Sequence, residues 1–197
     1  MKDRREYIVR KAMETYLLNG YDNVSISDLQ YAMDIGRGTM YYYFPDQDSL
    51  FQTCMEHYFL GPKYRALSAV PEKVSVSEMI NAMLTYLGSL EKALHTFDNQ
   101  NINTSNAVNL MCTAYSRFPK LYRKAKRIYQ MEMVLWRRAI RNDMAAGLIR
   151  HDIDVELTAT MFTHIKDGYD SGDSRVTMDF TLFPQKYNFL YNLLKTH

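Results

Sequence analysis

The sequence predicts an all-α fold, and three observations carry that expectation. Apolar residues recur at three- and four-residue spacing along most of the chain, the period of an amphipathic helix. Residues that start helices (Ser25, Asp46, Asp154) and residues that stop them (Gly20, Gly147) bracket those runs. Only five prolines and eight glycines occur in 197 residues, so helices can run long. The length supports one or two domains with a sizeable core. A three-helix unit over residues 1–50 and a longer helical region over 51–197 are the expected divisions.

The first helix carries Ile8, Ala12 and Tyr16 on one face and stops at Gly20-Tyr21. Ser25 opens the second, with Asp28 three residues on in capping-box spacing. Leu29 and Ala32 share its apolar face. Asp34, Ile35 and Gly36 form the turn, where Asp tolerates a left-handed backbone better than most residues. The third helix, from Arg37, is only two turns long and carries Tyr41, Tyr42 and Tyr43 before Phe44. It cannot bury all four rings. Pro45-Asp46 stops it, and Asp46 caps the next. Two short helices about a tight turn make a helix-turn-helix, and Arg37 and Thr39 beside exposed tyrosines suit phosphate and base-edge contacts. The first fifty residues hold more acids than bases. The bases sit usefully, with Lys2, Arg4 and Arg5 at the start and Arg37 on the third helix.

From about residue 5 to 52 the chain resembles the N-terminal domain of the TetR family of transcriptional repressors. Ile8, Ala12 and Tyr16 match its first helix, Gly20-Tyr21 its first turn, and Ser25, Asp28-Leu29 and Ala32 its second helix. Gly38-Thr39-Met40-Tyr41-Tyr42-Tyr43-Phe44 matches its third-helix signature, and Asp48 and Leu50 the opening of its fourth. Three positions depart from the pattern: Asp34 stands where Gly is usual, Gly36 where a polar side chain is common, and Gln47 where Lys is common. The resemblance implies a DNA-binding domain followed by a helical ligand-binding and dimerisation domain. Candidate DNA contacts are Arg4, Arg5, Ser25, Ser27, Arg37, Gly38, Thr39, Tyr41, Tyr42, Tyr43 and Gln47. Arg37 is placed on a guanine edge, Thr39 and Tyr42 next to bases, and Tyr41 and Tyr43, by the resemblance, on phosphates.

Beyond residue 50 the periodicity predicts a helix over 46–60 ending before Gly61-Pro62, and another from about 79 to 95 after the PEKVSVSEM connection. The polar run at 98–106 caps a helix to about Tyr115. The longest helix spans Pro119 to Ala146, with Tyr122, Tyr129, Met133, Trp136 and Ile140 on one face and basic residues elsewhere. Gly147 ends it. Asp154 caps a helix from Val155 to about Tyr169, a polar loop covers 171–179, and a last helix runs from about Leu182 to Lys195.

Several chemistries are excluded. No phosphate-binding Gly-rich loop, nucleophile elbow or zinc-protease motif occurs, so no catalytic residue and no cofactor is expected. Cys54 and Cys112 are too few for a disulfide framework, and His151, Asp152 and Asp154 lack a second cluster to complete a metal site. The basic run of the longest helix reads as a solvated face. The charged opening, MKDRREY, lacks the apolar stretch of a signal peptide, and no run approaches the roughly 20 apolar residues of a membrane span. A cytoplasmic protein is expected.

The expected function is a ligand-responsive regulator. It would be a homodimeric repressor on a palindromic double-stranded DNA operator, released by an unidentified lipophilic or aromatic small molecule. Met and aromatic side chains suggest the ligand site: Tyr58, Tyr86, Met111, Tyr115, Tyr129, Met133, Trp136 and Phe162. A four-helix interface is expected from Phe162, Ile165, Tyr187, Leu190 and Leu194. The alternatives are a helical small-molecule-binding protein with weakened DNA binding, and an architectural DNA binder without ligand.

Overall fold

A computed structural model describes residues 2–97, 99–166 and 179–196. Ten α-helices occur among the described residues: α1 Lys2–Asn19, α2 Ile26–Met33, α3 Arg37–Tyr43, α4 Gln47–Met55, α5 Gly61–Ser68, α6 Val76–His95, α7 Thr104–Arg117, α8 Pro119–Ala145, α9 Val155–His164 and α10 Phe183–Leu194. Extended pairing among them is confined to one isolated bridge, Ile149 with Lys195. The expected extension of α9 to Tyr169 and the loop over 171–178 lie outside the described residues.

The chain forms two compact units. One comprises 1–61 with 93–125, the other 62–92 with 126–197. The helix-turn-helix therefore packs with more of the chain than the division at residue 50 anticipates. Aromatic contacts supply the reason. Phe51 of α4 packs at a tilt against Tyr21, with ring centroids 4.4 Å apart, and meets Tyr16 edge-on at 5.1 Å. Phe118, which closes α7, adds a third wall, 5.3 Å from Phe51 and 5.4 Å from Tyr21. Such pairs add stabilisation beyond the area they bury.

Local signals set the helix ends. Gly20 and Gly147 both have positive φ, 77° and 71°, where a Cβ would be strained. Asp34 takes the same left-handed region at φ 50° to end α2. Asn103 and Asn106 form a reciprocal capping box at α7, and Asp154 caps α9 by accepting from the Leu157 N–H at 2.9 Å. The helix expected to stop at residue 60 instead continues. Between α4 and α5 the residues Glu56–Leu60 form a π-helical turn, in which the Gly61 N–H reaches back five residues to the Glu56 carbonyl. Pro62 has no N–H, and its ring would crowd the preceding turn of an α-helix. A wider turn there lets the helix run on to Ser68.

In the second unit α8 is the central element. It buries Leu135, Trp136, Ala139 and Ile140, whereas Tyr122 and Tyr129, expected on the same inner face, are exposed. Ile128 and Glu132 take the inward positions instead. At the far end of α8, Asn142 donates to the Val74 carbonyl at 2.8 Å, and Asp143 accepts from the Val76 N–H at 3.1 Å, fixing the start of α6.

Candidate nucleic-acid interface

The recognition element is α3. Met40 is its one buried residue and anchors the helix, so the other positions turn outward or to the rim. Arg37 is exposed, with its guanidinium 5.6 Å from the Tyr41 ring one turn on. Tyr42 is 68 % exposed, and the half-buried Tyr43 meets it edge-on at 5.0 Å. Thr39 is half-buried. A Cβ added at Gly36 or Gly38 would meet nothing within 4 Å, and neither glycine has a positive φ. The protein's own packing thus does not demand glycine on either side of Arg37.

The start of α1 joins this surface. Arg5 lies 5.0 Å from the ring of Phe44, the residue that ends α3, and Arg4 lies 5.7 Å from the ring of Tyr7. The Tyr7 hydroxyl donates to the Met33 carbonyl at 3.1 Å and so ties α1 to the end of α2. In α2 the residue buried beside Leu29 is Met33, and Ala32 is exposed.

Two candidate contacts are committed elsewhere. The Ser25 hydroxyl donates to Asp28 at 2.6 Å and accepts from the Asp28 N–H at 3.2 Å, which completes the capping box but leaves no hydroxyl proton for a phosphate. These hydrogen bonds also hold the exposed Asp28 carboxyl below its ordinary value. The Gln47 amide donates to the Val24 carbonyl at 2.6 Å, so it clamps the entry of α2 where the sequence suggested a phosphate contact. Ser27 is exposed. Tyr31, one turn further along α2, is 91 % exposed and was not singled out from sequence. Its four-residue spacing from Ser27 is the signal that could have found it.

The eight candidate ligand residues divide between the units. Tyr58, Met111 and Tyr115 belong to the first, and Tyr86, Tyr129, Met133, Trp136 and Phe162 to the second. In the first, Tyr58 packs 5.4 Å from Phe97, and burial pushes the Tyr58 and Tyr115 hydroxyls up to about 12. In the second, Trp136 stacks on Phe162 at 4.5 Å, with Tyr187 nearly parallel to it 5.9 Å away. Glu132 is fully buried, 2.9 Å from Lys166 and 2.6 Å from Lys63. Burial alone would raise its carboxyl, but Lys166 and then Lys63 overcome that and hold it below the usual 4.5.

The interface residues expected on α9 and α10 face inward. Phe162, Tyr187, Leu190 and Leu194 are buried within their own chain, and Ile165 is half-buried. The apolar residues left exposed are their neighbours: Leu157 and Met161 on α9, Phe189 and Leu193 on α10. Among the described residues no group of acids, histidines and cysteines could hold a metal ion, and no helix is long and apolar enough to cross a membrane.

Residues 8–54 match the family of bacterial regulatory proteins described as the tetR family. That match places a TetR-type helix-turn-helix domain at the start of the chain. Over 59 residues it is 25 % identical to YuxN, an uncharacterised HTH-type transcriptional regulator of Bacillus subtilis (strain 168). That match spans 30 % of this chain and 20 % of the relative. Solved structures extend the likeness to the whole fold. A transcriptional regulator from Saccharomonospora viridis in complex with choline is matched over 100 % of both chains, with TM-score 0.69 and 16 % identity. A TetR-family regulator from Cytophaga hutchinsonii covers 99 % of this chain and 96 % of its own, with TM-score 0.64 and 14 % identity. The family and these neighbours are transcriptional regulators, not enzymes.

Proposed function

We propose that this protein is a TetR-family repressor that binds a palindromic operator as a homodimer and is released by a small molecule. It would act in the cytoplasm. The observation that carries the DNA-binding part is the outer face of α3. Arg37 stands there between two glycines with open space beside them, followed by the exposed Tyr41 and Tyr42. Open space at a helix start lets a sugar-phosphate backbone approach closely, and a planar guanidinium beside it can fork onto a guanine edge. Arg4, Arg5, Ser27, Tyr31 and Tyr43 supply donors around that face. Ser25 and Gln47 act as supports.

A two-turn helix reads too few base pairs for useful specificity, which motivates a dimer on two half-sites about 34–36 Å apart. Its interface would use the exposed Leu157, Met161, Phe189 and Leu193, packing α9 and α10 against their copies. The effector would bind in the second unit, around Met133, Trp136 and Phe162, and would act by favouring the DNA-free state. A neighbour of the same fold crystallised with choline supports a small-molecule role.

The test is a gel shift of the full chain on its own upstream DNA, with sedimentation of a Met161→Glu, Leu193→Glu double variant. The reading expects a salt-sensitive specific complex, and monomers from the variant. No specific complex would favour a ligand-binding protein that has lost its operator, a reading that the acid excess of the first fifty residues makes worth testing.

A further inference from the structure

We propose that the ring of Tyr41 is a positioning group for base reading: it holds the Arg37 guanidinium before DNA arrives and so sets the fork presented to a guanine edge. This rests on the operator-binding reading above and adds a residue that decides its specificity. Arg37 is the first residue of α3 and stands between Gly36 and Gly38. Neither neighbour has a side chain to pack against it, and its own side chain makes no ion pair or hydrogen bond among the described residues. Its guanidinium instead lies over the Tyr41 ring, 5.6 Å from the centroid. Residues four apart share a helix face, and a guanidinium within about 6 Å of a ring centroid is attracted by the negative ring face.

The same choice recurs across this surface. Arg5 lies over Phe44 at 5.0 Å and Arg4 over Tyr7 at 5.7 Å. None of the three arginines pairs with a carboxylate among the described residues, although the first fifty residues hold more acids than bases. Those acids are largely spent elsewhere: Asp28 on Ser25, Asp46 on the Ser49 N–H, Asp48 on the Tyr21 hydroxyl, Asp22 on Arg117 and Glu14 on Lys11. A carboxylate would hold an arginine by occupying the N–H edge that must meet DNA. A ring holds it by the face and leaves that edge free. A side chain already held also loses less rotamer freedom when the fork closes on guanine O6 and N7. The Tyr41 ring thus acts on base preference through Arg37, whereas the Tyr41 hydroxyl is the part that can meet a phosphate.

The test compares the unaltered full chain with Tyr41→Phe and Tyr41→Leu. The first readout needs no DNA. In arginine-labelled protein, the Arg37 side-chain NMR signals, assigned by their loss in Arg37→Lys, are expected upfield of those of other exposed arginines because of the ring current. Tyr41→Phe should keep that displacement and Tyr41→Leu remove it. The second readout is base discrimination by gel shift on the upstream fragment, with each base pair substituted in turn. Tyr41→Leu should lower discrimination at one G·C pair roughly fivefold or more, the same pair that Arg37→Ala affects. Tyr41→Phe should weaken all sequences alike and keep the discrimination ratio. Arg37 signals without displacement in the unaltered protein overturn the positioning role, and this reading depends on no variant folding. An unchanged discrimination ratio in Tyr41→Leu also overturns it, and leaves the operator-binding reading standing. No specific complex from the unaltered protein would instead sink the operator-binding reading, and guanine as the target with it, whatever the ring current shows.

Discussion

The outer face of α3 and the inner face of α8 use similar side chains to opposite ends. On α3, Arg37, Tyr41 and Tyr42 are exposed and held by a single buried Met40. On α8, Trp136 and Glu132 have no exposure and are enclosed by rings and ammonium groups from other segments. Ring and charge on α3 contribute little to folding and remain available to a partner outside the chain. Ring and charge on α8 are part of the core, so a substitution there acts on stability first. Aromatic content by itself marks neither a binding face nor a core. The surrounding packing decides which one it becomes.

The strongest test of this contrast is Glu132→Ala. Removing one partner of a buried ion pair typically costs about 3–5 kcal/mol, because the remaining charge loses its counter-ion in the interior. Denaturant unfolding should show a loss of that order, whereas Tyr42→Ala should stay within about 0.5 kcal/mol of wild type. Similar losses for the two would break the contrast. A pH series sharpens it. Glu132 has its carboxyl lowered from 4.5, so its stabilising contribution is complete above that value and is lost as pH falls through the lowered one. Glu132→Gln should remove this part of the acid sensitivity.

Next in size is Arg37→Ala, measured on DNA. It should cost about 1–3 kcal/mol of operator affinity and relax base preference at one position. Tyr41→Phe should weaken binding to all sequences alike, as loss of a phosphate contact does. Unchanged affinity and preference in Arg37→Ala would remove α3 from base reading.

Gly38→Ala separates folding from function at one residue. The added Cβ meets nothing in the protein, and alanine in a helix is favoured over glycine by roughly 0.5–1 kcal/mol. Unfolding should therefore show a gain in stability while gel shifts show weaker operator binding. If affinity holds, the space beside Arg37 is not used by DNA. The smallest effect belongs to Gly36→Ser. Gly36 is the uncapped start of α3, with extended backbone at φ −69° and open space around it. A serine hydroxyl there should stabilise the helix by only a few tenths of a kcal/mol, visible as a slight rise in Tm.

Much of this was legible in the sequence because it is local. The Ser25–Asp28 capping box, the left-handed Asp34 and the Asp154 cap each involve residues within one or two turns of one another, and each formed where the spacing placed it. The exposure of α3 followed from arithmetic, since two turns cannot bury four rings. The hydrogen bond from Gln47 to the Val24 carbonyl was not legible, because the partner lies 23 residues away. The helix over 46–60 ran on because a π turn absorbed Pro62, an accommodation that no local pattern announces.

By itself, then, the sequence determined the all-α class, the helix-turn-helix and the chemistry offered by α3. Backbone capping and hydrophobic period are decided over a few residues, and they were decided the same way in the folded chain. Only the tertiary structure decided which face of α9 and α10 turns inward. Phe162 and Tyr187 go to the core while Met161 and Phe189 stay exposed, although the two sets are alike in composition. Tertiary structure likewise brought Glu132 to Lys63 and Lys166, the latter 34 residues away. Where two faces of a helix are both apolar, its own period cannot rank them. The choice falls to whichever face finds complementary shape and charge on distant segments, and that pairing exists only once the chain has folded.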